Sequence, residues 1–120
     1  MRFINTRVHG LLDYIVSIIL ISSPWLFGFY DNGPESTVPI ALGVITIVYS
    51  LLTRYEFGLM PLIPMPSHLV LDFLNGLFLA TSPWLLGFAD NVWLPHVIMG
   101  VFEITASLIS KKRPTLITHA

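Results

Sequence analysis

Residues His9–Asn32 read HGLLDYIVSIILISSPWLFGFYDN, and residues His68–Asn91 read HLVLDFLNGLFLATSPWLLGFADN. The two stretches align without a gap at a constant offset of 59, and 12 of 24 positions are identical. Chance would leave about one or two identities, so the chain is internally duplicated. The residues that follow match as well. Gly43, Val44, Ile47, Ser50 and Leu51 correspond to Gly100, Val101, Ile104, Ser107 and Leu108, at an offset of 57 because the first outer loop is two residues longer. Each repeat therefore reads as two helices joined by a short turn.

Working outward from these copies, runs poor in charge occupy Val8–Gly28, Val38–Thr53, Ser67–Gly87 and Leu94–Ser110. A bilayer core about 30 Å thick takes roughly 17–25 helical residues, which the first and third runs supply. The second and fourth are slightly short and draw on Tyr55, Trp93 and Leu94. Apolar residues surround each segment rather than forming a stripe, which disfavours a soluble bundle. Composition agrees: 54% of the 120 residues are hydrophobic, 11% are charged, and the mean hydropathy is +0.77. A soluble domain carries about a quarter of its residues as Asp, Glu, Lys and Arg. Net charge −1 excludes a nucleic-acid binder, and the lack of cysteine excludes a disulfide scaffold and thiolate chemistry.

A repeat with an even number of spans returns the chain to its starting side, so the halves point the same way about a pseudo-two-fold axis along the membrane normal. Arg2, Arg7, Arg54, Lys111, Lys112 and Arg113 all fall on one side, and the other loops carry Asp31, Glu35 and Asp90. The basic side is expected to be cytoplasmic, with both termini there. The first span has a full-length copy in the third and no small-x-small cleavage site follows it, so it reads as a retained span rather than a secretory signal.

Ser23-Pro24-Trp25 and Ser82-Pro83-Trp84 each sit in an S-P-W-L-x-G-F context. With two copies at fixed spacing over nearly the whole chain, the sequence resembles the SPW-repeat family of small bacterial integral membrane proteins. The resemblance implies a four-span protein of the bacterial inner membrane and implies no activity. The motif itself reads as structural. Proline disfavours helix continuation, so each first helix should kink or end near Pro24 and Pro83. Ser22, Ser23, Thr81 and Ser82 are placed to bond the carbonyls this frees. Trp25 and Trp84 suit the outer interface, and Gly28 and Gly87 suit the helix ends. Asp31-Asn32 and Asp90-Asn91 suit turns or caps. A substrate site at the helix break is the less favoured alternative.

His9 and Asp13 are four apart, as are His68 and Asp72, so each pair shares a helix face. An Asp about one turn inside the membrane is costly unless paired, hydrated or protonated. Duplication puts the two pairs at similar depth, where they would form one cluster, and Ser17 and Gly76 one turn further on would let another helix approach. Three readings are open. The preferred one is a polar clamp, with Asp bonded to His, to backbone caps, or to Arg7 or Arg54. The second is a proton or ion relay. The third is a haem or metal site with two histidine ligands, which has no motif behind it. Glu103, where the first repeat has Thr46, sits mid-span on the Gly100–Ser107 face. It reads equally as a functional carboxylate or as a group bonded to Thr46, Ser50 or Tyr49. His96 is expected to be solvated near the outer boundary.

Residues 55–66 are Pro-rich and read as an irregular segment on the cytoplasmic surface. The resulting expectation is an all-α integral membrane four-helix bundle forming one domain. Its first repeat covers about 8–54, the linker about 55–66, the second repeat about 67–111 and the tail 112–120. The expected role is non-enzymatic and without cofactor, a structural or accessory component. It would act through helix packing in the lipid bilayer and through self-association or another membrane protein.

Overall fold

The computed structural model describes residues 2–113, so most of the tail 112–120 lies outside the described residues. The chain forms four helices: α1 (Thr6–Leu26), α2 (Pro34–Leu51), α3 (Met65–Leu85) and α4 (Leu94–Ile109). Asn5 caps α1 by accepting a hydrogen bond from the Val8 N–H at 2.9 Å. The other three helices open with a proline in the first turn, where the missing N–H costs no helical bond. Pro34 also explains why α2 begins before the apolar run at Val38: Glu35, Ser36 and Thr37 form its first turn.

The helices α1 and α3 pass through Pro24 and Pro83 and end two residues later. Each proline leaves the carbonyl four residues back without a donor. Those carbonyls belong to Leu20 and Leu79, and the Ser23 and Ser82 hydroxyls donate to them at 2.7 Å in both helices. Gly28 and Gly87 follow with φ of +72° and +76°. This left-handed position closes each helix as the next N–H, of Phe29 or Phe88, reaches back 2.8 Å to the Pro24 or Pro83 carbonyl.

Helices α1 and α2 form one tight hairpin and α3 and α4 a second, while contact between the hairpins is sparser. Small residues allow the tightness. A Cβ on Gly43 would lie 2.8 Å from the Ser17 carbonyl oxygen, and one on Gly100 would lie 2.6 Å from that of Gly76. The small-residue seams are thus used within each hairpin.

One end of the molecule gathers the chain start, the linker and the end of α4. The Phe3 N–H donates to the Ile109 carbonyl at 2.8 Å, and Ile4 pairs with Ser110 in an isolated bridge. Thr53 pairs with Ile63 in the same way, and Thr6 Oγ1 donates to Glu56 at 2.7 Å. All six basic residues flank this end. The linker folds against the bundle, burying Tyr55 against Met65 and Leu69, rather than lying wholly on a surface.

Polarity is inverted relative to a water-soluble fold. Among the described residues, 18 polar or charged side chains are buried against ten hydrophobic ones. Ile18, Val48, Val70, Leu74, Ile98 and Leu108 are exposed on the outside. Two helices, Thr6–Leu26 and Pro34–Leu51, are long and apolar enough to cross a membrane, and α4 is apolar but has 16 residues.

Candidate functional site

His9, Asp13, His68 and Asp72 meet between α1 and α3, all buried. Helical spacing puts His9 Nε2 3.1 Å from Asp13 Oδ1 and His68 Nε2 3.1 Å from Asp72 Oδ2. The closer contacts run between the hairpins: His9 Nε2 lies 2.7 Å from Asp72 Oδ2, and His68 Nε2 lies 2.9 Å from Asp13 Oδ2. The four side chains close a ring in which each histidine touches both carboxylates.

A shell of hydroxyl groups orients the ring. Ser110 Oγ and Thr53 Oγ1 donate to the carbonyls of Ala106 and Tyr49, each at 2.6 Å, so their protons are committed to backbone. They are then left to accept from His9 Nδ1 and His68 Nδ1, each at 2.7 Å. This puts a proton on Nδ1 of both rings and turns both Nε2 atoms toward the carboxylates, where His9 Nε2 donates to Asp72 Oδ2. Tyr49 donates to Asp72 Oδ1 at 2.5 Å and Tyr55 to Asp13 Oδ2 at 2.6 Å. Burial, then the neighbouring Asp13 carboxylate, raise the Tyr55 pKa, so its phenol stays a donor throughout the ordinary pH range. His68 Nε2 forms no well-directed hydrogen bond despite its two close oxygens.

Several sequence expectations need correction. The ion pairs of Asp13 and Asp72 are with the two histidines and not with Arg7 or Arg54; the Arg7 guanidinium instead lies over the Phe57 ring at 5.9 Å. Glu103 is bonded to none of Thr46, Ser50 and Tyr49. Asn75 Nδ2 donates to Glu103 Oε1 and to Thr46 Oγ1, both at 3.0 Å, and so bridges the two aligned positions. Glu103 Oε2 has no partner. His96 is buried rather than solvated, with Nε2 2.9 Å from the Glu35 carbonyl oxygen and its ring against Phe29 and Phe88. The motif residues lie apart from the ring: Ser23, Pro24, Ser82 and Pro83 are buried beyond Leu20 and Leu79, while Trp25 and Trp84 are exposed.

Thr53, Ser110, Asn75 and the ring roles of Tyr49 and Tyr55 escaped the sequence reading. Thr53 and Ser110 carried a usable signal, since they correspond at the same offset of 57 as the other second-helix matches. A cavity of about 20 Å³ touches both the ring and Glu103; Leu12, Val16, Phe102 and Ala106 line it together with His9, Asp13, Thr46, Asp72 and Glu103, and its exposed lining is mostly apolar. Beyond it, buried Leu20, Val38, Leu79 and Met99 form an apolar cluster.

Four helices with an apolar exterior around a buried polar ring define an all-α protein built as paired hairpins. The sequence model of the SPW repeat domain matches residues 7–110, and the chain belongs to that family. No curated protein and no solved structure matches the chain.

Proposed function

We propose that the protein is a small, non-enzymatic integral membrane protein of four spans whose His–Asp ring clamps two hairpins into one rigid structural or accessory unit. The observation that carries this is the ring itself. Its closest contacts, His9–Asp72 and His68–Asp13, join hairpins that otherwise touch sparingly. Polar groups that fasten helices in this way suit a bilayer, where backbone and side chains find no water to bond. The outward-facing Ile, Val and Leu residues support the same surroundings. Partners of the unit, another copy or a different membrane protein, would meet these exposed faces, because the small-residue seams are already filled.

The matched contacts support a pseudo-two-fold along the membrane normal: Ser110–His9 repeats as Thr53–His68, and Ile4–Ser110 as Ile63–Thr53. The basic residues at one end support a cytoplasmic side for that end, with both termini there. Cysteine labelling tests this directly, as the sequence has no cysteine of its own. An impermeant maleimide applied to intact cells should modify Asn32→Cys and Asp90→Cys. Arg54→Cys and Lys112→Cys should react only after permeabilisation. Labelling of Arg54→Cys in intact cells would overturn the topology.

A second reading, a proton relay, is favoured by the cavity that touches both the ring and Glu103, whose Oε2 is unpartnered. The apolar cluster of Leu20, Val38, Leu79 and Met99 blocks its continuation, which ranks it below the clamp. Proton flux into proteoliposomes that Asp13→Asn with Asp72→Asn leaves unchanged would exclude it.

A further inference from the structure

We infer that the ring is a binding site for one divalent transition-metal ion, held by His9 Nε2, His68 Nε2 and one oxygen each from Asp13 and Asp72. One ligand atom from each of the four residues lies within 4.8 Å of every other. Tetrahedral coordination with bonds of about 2.0–2.1 Å spaces its ligands about 3.3–3.4 Å apart. Both histidines meet the same Asp72 oxygen, Oδ2, at 2.7 and 3.1 Å, while they meet different Asp13 oxygens, Oδ1 from His9 at 3.1 Å and Oδ2 from His68 at 2.9 Å. An ion would take Asp72 Oδ2 and one Asp13 oxygen, with these separations opening by about 0.2–0.7 Å.

Three further features fit an ion rather than hydrogen bonds alone. The Nδ1–H donations to Ser110 and Thr53 leave Nε2 of both rings for the centre, where loss of the Nε2 proton would give an ion the lone pair it requires. Every proposed ligand has an outer partner, since Tyr49 and Tyr55 hold the two carboxylates, and such partners set ligand orientation. Finally, His68 Nε2 is fully buried, faces two carboxylate oxygens and makes no directed hydrogen bond. An ion between them would satisfy the nitrogen, and its two positive charges would balance the two carboxylates in a buried site. The ligand set of two imidazoles and two carboxylates suits Zn²⁺ and its tetrahedral neighbours, not Mg²⁺ or Ca²⁺, which take oxygen ligands.

The inference shares the ring with the clamp reading but does not depend on the bilayer. The test uses the full-length chain, purified in detergent through a tag without histidine. Elemental analysis after growth with added Zn²⁺ should find one ion per chain, and Co²⁺ loaded into chelator-stripped protein should give the intense visible bands of tetrahedral coordination. His119→Ala, in the C-terminal tail, should leave both results unchanged, whereas Asp72→Asn should abolish them. Thr53→Val with Ser110→Ala should weaken Zn²⁺ binding about 10–100-fold, as loss of orienting partners does. Sub-stoichiometric metal with no Co²⁺ bands in the wild-type protein would overturn the inference, as would full loading of Asp72→Asn. The clamp is read separately, from thermal unfolding of the stripped protein with and without Asp72→Asn, so either idea can fail alone.

Discussion

Serine and proline in the repeated motif form a matched pair. Pro24 removes the donor that the Leu20 carbonyl needs, and the Ser23 hydroxyl replaces it at 2.7 Å. The expected cost of Ser23→Ala is therefore about 1 kcal/mol, the net worth of one such bond. On a Pro24→Ala background the restored N–H can serve the carbonyl, so the same serine change should cost less than half as much. A double-mutant cycle on detergent unfolding midpoints checks this, and additive losses would contradict the pairing. This relation was legible in the sequence because serine, proline and acceptor lie close together, but only for Ser23 and Ser82: Ser22 and Thr81 donate to the Ile18 and Leu77 carbonyls instead. The ring was legible only in part. Spacing of four revealed His9–Asp13 and His68–Asp72, yet these are its longer contacts at 3.1 Å. The shorter ones, and the hydroxyls of Thr53 and Ser110, depend on how hairpins meet, which no local spacing records.

At the scale of the element, helix ends and helix seams obey different constraints. Gly28 and Gly87 need a positive φ and have open space around them. Gly100 has ordinary helical geometry but no room, as an added Cβ would stand 2.6 Å from both the Ala80 nitrogen and the Gly76 oxygen. Gly28→Ala should therefore cost about 1–2 kcal/mol through backbone strain alone. Gly100→Ala should push α4 away from α3 and cost about 1–3 kcal/mol, as overpacking does. Comparing unfolding midpoints with cross-linking between α3 and α4 separates the two: only the second change should reduce cross-linking. Helix order and approximate limits followed from hydropathy, since apolar runs of this length have few alternatives. The early start of α2 did not, because a polar first turn behind Pro34 resembles a loop when only apolarity is scored.

For the whole molecule, buried polar groups concentrate at the seam between hairpins, so that seam should govern stability. Asp72→Ala leaves His9 and His68 with one carboxylate between them and Tyr49 without its acceptor. Loss of one partner from such a buried pair costs about 3–5 kcal/mol. The variant should show a lower unfolding midpoint and faster proteolysis in the linker 52–64, where Tyr55 reaches Asp13. An unchanged midpoint would mean that the hairpins hold together without the ring. The burial of His96 belongs to this scale too. Its place near the outer boundary suggested water, but Phe29, Phe88 and the Glu35 carbonyl enclose it once the hairpins are side by side.

The two isolated bridges have one more consequence. Ile4 meets Ser110 across the gap between the chain's two ends, just as Ile63 meets Thr53 where the polypeptide runs on without interruption. The two junctions therefore share one local geometry in the folded shape. A circular permutant, spliced from the old C-terminus to the old N-terminus and cut between Met60 and Pro61, should retain the same architecture with its beginning and end exchanged.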